Sequence, residues 1–291
     1  MYELPYYLGC PMWANRDWVG RFFRRDAKPR EYLSQYSSAL TSVEGNTTFY
    51  ALPKAETVAL WADSVPARFR FCFKFPRVVS HDLALRDAER ETAEFFERLS
   101  PLGARLGPFF LQLPPSFADM DRLARFLARL PREFRYAVEA RHARFYDEAS
   151  GERDFDAVLT ELGMDRVIFD THRLMRLTTR DPELLEAQRK KPKAPVRHHA
   201  TGPHPFLRFV GDPDFAQDRE ILEDWARRAA GWIAEGRRPF IFMHQAPEDV
   251  AAPQIARLFH EMLQTHRPEV GDMPPWPIDD EPPPEEQLSL F

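Results

Sequence analysis

Residues 39–57 read Ala-Leu-Thr-Ser-Val-Glu-Gly-Asn-Thr-Thr-Phe-Tyr-Ala-Leu-Pro-Lys-Ala-Glu-Thr. The first five form a short β-rich run, and Leu52 to Thr57 open a helix. Between them a carboxylate, a glycine, an amide and two aromatics stand where a strand has stopped and a helix has not begun. In a parallel β/α protein that edge faces the ligand. Glu44 and Asn46 share a parity and so point the same way, while Gly45 lets the backbone bend or be approached closely.

Outward from this stretch the same unit recurs along the chain. Strand-like runs occupy residues 6–10, 39–44, 69–75, 108–113, 135–140, 166–170, 206–210 and 239–244. Helical patterns lie between them at 31–39, 55–64, 87–102, 120–130, 155–162, 220–234 and 253–264. Short apolar runs without a polar stripe suit strands of a parallel sheet covered on both faces. The repeated alternation predicts an α/β protein, a (β/α)8 TIM barrel. A doubly wound open sheet is the alternative, but no glycine-rich nucleotide loop follows any strand. Residues 171–203 form an insertion between the sixth and seventh strands, with a short helix over 182–190 and the basic run Arg-Lys-Lys-Pro-Lys at 189–193. A loop of that length in a compact domain is usually functional or disordered. The expected organisation is one barrel domain over 1–267, then an extended acidic, proline-rich tail over 268–291.

The composition bounds the class. A chain of 291 residues with 44% hydrophobic content fits one barrel with a large core. Nothing approaches eighteen uncharged apolar residues, so no membrane span is expected. Met1 to Pro5 has neither the basic nor the apolar region of a signal peptide. Two cysteines, Cys10 and Cys72, give neither a disulfide framework nor a four-thiolate metal site, and the protein is expected in the cytoplasm. The net charge is −5, yet residues 268–291 hold seven acidic side chains and no basic one. A pI near 6 therefore hides a mildly cationic body with an acidic, proline-rich tail.

Strand parity selects the candidate site. In Phe-Arg-Phe-Cys-Phe-Lys-Phe (69–75) the phenylalanines face one side, leaving Cys72 and Lys74 on the other. Gln112 opposes Phe109 and Leu111, Glu139 and Arg141 oppose Tyr136 and Val138, and Asp170 opposes Val167 and Phe169. Arg208 opposes Leu207 and Phe209, and His244 opposes Ile241 and Met243. With Glu44, seven strands thus end in a polar residue on the inferred inward face. Such a gathering is costly if dry and unpaired, and a wet ligand site compensates. The competing reading is a self-satisfied salt-bridge network that caps the core. The expected catalytic set is Glu44, Lys74, Glu139 and Asp170. Glu139 or Asp170 would act as general base and Glu44 as its partner or general acid. Lys74, Arg141 and Arg208 would hold a phosphate or carboxylate. Asn46, Gln112 and His244 complete the inward set. Trp13, Tyr50 and His81, in the loops above, are candidates for stacking or proton transfer.

A metal among Glu44, Glu139, Asp170, His142 and His244 is disfavoured, because three cationic side chains share the mouth and no His-Glu-x-x-His spacing occurs. Dinucleotide and Walker fingerprints are absent, so no nicotinamide, flavin or other cofactor is expected. An acid-base enzyme of hydrolase or lyase type on an anionic substrate is the leading expectation. The alternative is a non-catalytic protein that holds a metabolite or a nucleic-acid end in the same pocket.

The segments Val-Glu-Gly-Asn-Thr-Thr-Phe-Tyr-Ala-Leu-Pro-Lys, Phe-Arg-Phe-Cys-Phe-Lys-Phe-Pro, Leu-Gln-Leu-Pro, Val-Glu-Ala-Arg-His and Gln-Arg-Lys-Lys-Pro-Lys-Ala-Pro-Val resemble the YecE family, domain-of-unknown-function family 72. The resemblance covers nearly the whole chain. It implies a TIM barrel whose strand-end residues are Glu44, Asn46, Tyr50, Lys74, Gln112, Glu139, Arg141 and Asp170, and it supplies no reaction. At the eighth strand this chain reads Met-His-Gln-Ala-Pro (243–247), where many relatives look like Phe-Asn-Asn.

The final residues, Gln287-Leu288-Ser289-Leu290-Phe291, resemble the pentapeptide by which bacterial repair and replication proteins dock on the sliding clamp. The glutamine amide suits polar contacts, and Leu288, Leu290 and Phe291 suit an apolar cleft. Clamp binding would place the protein near DNA and favour a nucleic-acid-related substrate.

Overall fold

The computed structural model describes residues 4–147 and 150–282. Its strands are β1 (Tyr7–Gly9), β2 (Ser42–Gly45), β3 (Arg70–Phe73), β4 (Phe109–Gln112), β5 (Tyr136–Glu139), β6 (Asp165–Asp170), β7 (Phe206–Gly211) and β8 (Phe240–Gln245). Helices α1 (Tyr32–Ala39), α2 (Ala55–Ser64), α3 (Glu89–Leu99), α4 (Met120–Ala128) and α5 (Gly151–Leu162) alternate with the first six. The segment between β6 and β7 carries α6 (His172–Arg176) and α7 (Pro182–Lys190), and α8 (Arg219–Ala234) and α9 (Ala252–His266) follow β7 and β8. Several boundaries have local causes. Asp119 accepts from the Arg122 amide at the start of α4, Asp181 from Glu183 and Leu184 at the start of α7, and Gly163 ends α5 at φ +65°.

All the strand pairs are parallel. A curled six-stranded sheet runs β1-β8-β7-β6-β5-β4, and β2 and β3 form a separate pair. Backbone hydrogen bonds join that pair to both edges of the larger sheet. On one side the Thr41 and Glu44 amides donate to the Leu8 and Cys10 carbonyls at 3.1 Å. On the other, the Gly107 and Phe75 amides donate to Phe71 and Phe110 at 2.9 and 3.0 Å.

Both faces of these strands are apolar. Tyr7, Cys72, Phe110, Ala137, Val167, Phe206, Phe240 and Phe242 form the inner layer. Phe71, Phe73, Leu111, Val138, Ile168, Leu207, Phe209, Ile241 and Met243 pack outward beneath the helices. Burying one such side chain contributes about 1.5–3 kcal/mol, so the two-faced burial holds the sheet and explains the unbroken apolar runs. Cys10 and Cys72 are both buried free thiols that fill this packing. None of the described helices is long and apolar enough to cross a membrane.

The tail is not an extended tether over its described part. Residues 268–282 fold back on the body, with Trp276 buried edge-on to Phe22 and the Arg257 guanidinium 3.5 Å above its ring. The Ile278 amide donates to the Phe22 carbonyl at 3.2 Å, and His260 Nε2 hydrogen-bonds the Gly271 carbonyl at 3.0 Å. Proline content suggested extension, but one large aromatic among the prolines has more to gain by burial than by exposure.

Candidate functional site

At the C-terminal edge of the sheet, inward side chains from five strands join in one hydrogen-bonded chain. Arg208 donates from Nε and Nη2 to Glu44 at 2.7 and 2.6 Å, and from Nη1 to Glu139. Glu139 also accepts from Arg141 Nε at 2.6 Å, and Arg141 Nη2 reaches Gln112 Oε1 at 2.8 Å. On the far side Glu44 accepts from Asn46 Nδ2 at 2.7 Å and hydrogen-bonds His244 Nε2 at 3.1 Å. Asn46 is itself tied to the Pro11 carbonyl at 3.2 Å, which fixes its amide. Glu44 and Glu139 are fully buried, Arg208 is nearly so, and the Phe169 ring lies 4.3 Å from the guanidinium.

The local sequence explains this placement. Glu44, Glu139 and His244 are the last or next-to-last residues of their strands and Arg208 lies midway along β7, all on the inner parity. Gly45 faces the other way, against the ring of its cross-strand partner Phe73, and a Cβ there would lie 2.3 Å from that ring. The glycine is therefore required for close approach of β2 to β3.

Two carboxylates this deeply buried survive only because they are paired. Burial works to raise the Glu44 pKa, but Arg208 and His244 outweigh it and hold the group well below the usual carboxylate range. At Glu139 burial is likewise outweighed, by Arg141, Arg208 and Lys74, and the pKa falls to about 2. The two do not divide into an acid and a base, as the sequence had suggested. Both are held as carboxylates by one shared guanidinium.

Lys74 stands apart from the network. It lies just beyond β3 with its Nζ 3.9 Å from the centre of the Phe49 ring, and it makes no ion pair among the described residues. Burial, then the neighbouring Arg208, lowers its pKa to about 8. His81, in the turn Val78–Asp82, shares a hydrogen bond of 2.8 Å with Ser80 Oγ and meets Phe49 edge-on at 5.0 Å. Burial, followed by Lys74 and Arg77, pushes it down to about 4, so it is neutral at pH 7. Tyr50 is 80% exposed and stands perpendicular to Phe49 at the rim. The structure thus brings Glu44, Asn46, Lys74, Gln112, Glu139, Arg141, Arg208 and His244 together, with His81 and Tyr50 beside Phe49.

Two expected site residues lie elsewhere. Asp170 faces outward, where its Oδ2 accepts from Trp225 Nε1 of α8 at 2.8 Å and its Oδ1 from the His172 amide at 2.9 Å. Val167 and Phe169 take the inner face instead. In a strand buried on both sides, apolar neighbours do not reveal which side is outside. Trp13 packs edge-on against Trp61 and Phe71, at 5.3 and 6.1 Å, on the outer side of β3. His142 also leaves the site and caps the Arg144 amide at 3.1 Å. Gln287, Leu288, Leu290 and Phe291 lie outside the described residues.

Phe49 belongs to the aromatic pair noted after β2, whereas Phe169 and Asp249 were not singled out as site residues. Phe49 and Phe169 place aromatic faces under cations, and Asp249, beyond β8, accepts from the Gln245 amide at 2.7 Å near His244. A separate grouping of Glu152, Asp156 and His199 has ligand-like spacing. Its carboxylates already accept from Arg166 and Arg197 at 2.5–3.2 Å, so it works as a salt-bridge knot. The knot binds the segment before β7 to α5.

A family model described as "Protein of unknown function DUF72" matches residues 7–280. The chain is 37% identical to the UPF0759 protein YecE of Escherichia coli strain K12 over 287 residues, 98% of this chain and 99% of the relative. The YecE protein of strain O157:H7 matches to the same extent. Among solved structures, a DUF72 family protein from Enterococcus faecalis V583 superposes with a TM-score of 0.66 at 20% identity, covering 89% of this chain and 95% of that one. A DUF72 family protein from Thermotoga maritima MSB8 gives 0.64 at 22%, covering 89% and 98%. At those identities the structural likeness speaks to fold alone.

Proposed function

The chain belongs to the DUF72 family, and from that premise we propose that it is a cytoplasmic (β/α)8-barrel enzyme performing acid-base chemistry on an anionic, nucleotide- or nucleic-acid-related substrate. Barrel closure is supported by the hydrogen bonds that tie the β2-β3 pair to both edges of the larger sheet. The two buried free thiols are consistent with a reducing compartment.

One observation carries the reading of the site. Arg208 satisfies both buried carboxylates, while Lys74 remains beside it without a counter-ion among the described residues. An unpaired desolvated cation favours an arriving anion, because the cost of stripping its water has already been met by folding. Lys74, with a pKa of about 8, can also take or give a proton near neutrality. Neither glutamate can do so at that pH. We therefore assign proton transfer to Lys74, with neutral His81 within the same aromatic pocket as its partner. Glu44 and Glu139 serve to orient Arg208 and Arg141, and a hydrolase or lyase step suits this set.

The ionised carboxylates equally favour a second reading, in which the mouth binds its anion without turnover. One experiment addresses both. Phosphorylated and carboxylated metabolites are screened for thermal stabilisation of the full chain, and each ligand found is followed by NMR for conversion. Stabilisation that vanishes in Lys74→Met supports the site, and conversion decides for the enzyme. A ligand that stabilises wild type and Lys74→Met equally removes Lys74 from the account.

A further inference from the structure

A cavity of about 500 Å³ opens between the loop after β5 and the segment that leaves α7. Arg141, Lys191 and Lys193 line it, while Tyr146, Pro115 and Pro195 supply apolar surface. No carboxylate lines it among the described residues. Arg189 and Lys190 pair with Glu186 at 2.5 and 3.3 Å, whereas Lys191 and Lys193 make no ion pair there.

These cations are held in place. The Lys191 amide donates to Ala187 at 3.1 Å, Thr171 Oγ1 to the Pro192 carbonyl at 3.0 Å, and Gln188 to the Leu174 and Leu177 carbonyls at 2.8 and 2.9 Å. Downstream, Arg197 binds Glu152 at 2.5 and 2.8 Å and reaches the Tyr146 carbonyl at 3.2 Å. Lys191 Nζ lies 5.7 Å from the Phe169 ring, and so points from the segment toward the strand-end network. Glu139 pairs with Arg141, but Lys191 and Lys193 make no ion pair among the described residues, so the cavity keeps a positive potential that an anion relieves. The volume falls within the range of small-ligand sites, and a tyrosine and two prolines offer flat surface to a ring.

We propose that this cavity binds a mononucleotide-sized phosphate ester, its phosphate held by Arg141, Lys191 and Lys193 and its ring resting on Tyr146 and the prolines. The proposal rests on the reading of the mouth and deepens it by naming the anion; the two share Arg141, Lys191 reaches from the cavity toward the mouth, and Lys193 belongs to the cavity alone.

The test titrates the full chain with inorganic phosphate, ribose 5-phosphate and adenosine 5′-monophosphate by isothermal calorimetry. Wild type is expected to bind the nucleotide most tightly. The Lys191→Gln, Lys193→Gln double variant should lose about tenfold or more in affinity for all three, with an unchanged unfolding midpoint. Lys193→Gln alone, at an exposed position, should show part of the loss. Equal affinities for the nucleotide and ribose 5-phosphate overturn the role of the ring. Nucleotide binding unaffected by the double variant overturns the cavity, and if that binding still fails in Lys74→Met, the mouth reading stands without it. Loss in the double variant but not in Lys74→Met keeps the cavity and removes the mouth.

Discussion

Arg208 grips Glu44, 164 residues away in the chain, with two hydrogen bonds of 2.7 and 2.6 Å in a fully buried setting. A bidentate guanidinium-carboxylate pair fixes both angle and distance, so this contact ties β7 of the larger sheet to β2 of the separate pair. Its removal tests what the network is for. Arg208→Met should destabilise the protein by about 3–5 kcal/mol, because two buried carboxylates lose their shared cation. Urea unfolding measures this, and a loss below about 1 kcal/mol would show that the pair had been solvated all along.

Acid should act on the same contacts. Glu139 has its pKa depressed from 4.5 to about 2, and Glu44 is lowered too. A depressed carboxylate contributes stability that is complete above its unfolded pKa and is lost as pH falls through the folded one. The window is therefore from about pH 4.5 downward to about 2, with Glu139 alone accounting for about 3 kcal/mol. Unfolding midpoints recorded from pH 6 to pH 2.5 should drop across that range in wild type and less steeply in Arg208→Met, where Arg141 still holds Glu139.

Ligand binding should respond at the other end of the scale. Lys74 carries its positive charge only below about pH 8, so affinity for an anion at the mouth should be full at pH 6.5 and fall through pH 8. A guanidinium stays charged, so Lys74→Arg should remove the decline between pH 7 and 9.5. A wild-type profile that is flat over this interval would mean that Lys74 does not meet the ligand.

Asp170 offers a control on the outer face. Asp170→Ala removes the acceptor of the Trp225 indole N–H and should cost about 1–3 kcal/mol in stability. Affinity at the mouth should stay within twofold of wild type. A collapse of binding without loss of stability would return Asp170 to the site.

The C-terminal pentapeptide can be tested by itself. A peptide ending Gln287-Leu288-Ser289-Leu290-Phe291 should bind a bacterial sliding clamp with roughly micromolar affinity, and a Leu290→Ala, Phe291→Ala version should not. The described part of the tail is pinned to the body up to Glu281, by Arg25 at 2.9 Å. Equal binding by the two peptides, or none by either, removes the clamp.

Periodicity and composition alone predict eight strands and the helices between them, because a strand covered on both faces must be short and apolar and a helix must repeat near 3.6 residues. Glu44, Lys74, Gln112, Glu139, Arg208 and His244 do lie on the inner face that parity assigned them. Parity failed at Asp170, where Val167 and Phe169 face inward and the carboxylate finds an indole N–H instead. Composition failed at the tail, where over residues 268–282 the burial of Trp276 outweighs the five prolines of that stretch. Residue identity could not tell which of the gathered charges neutralise one another. Only the three-dimensional arrangement gives Glu44 and Glu139 to Arg208 and leaves Lys74 over a phenyl ring, because ion pairing depends on separations of a few ångströms between side chains remote in the chain.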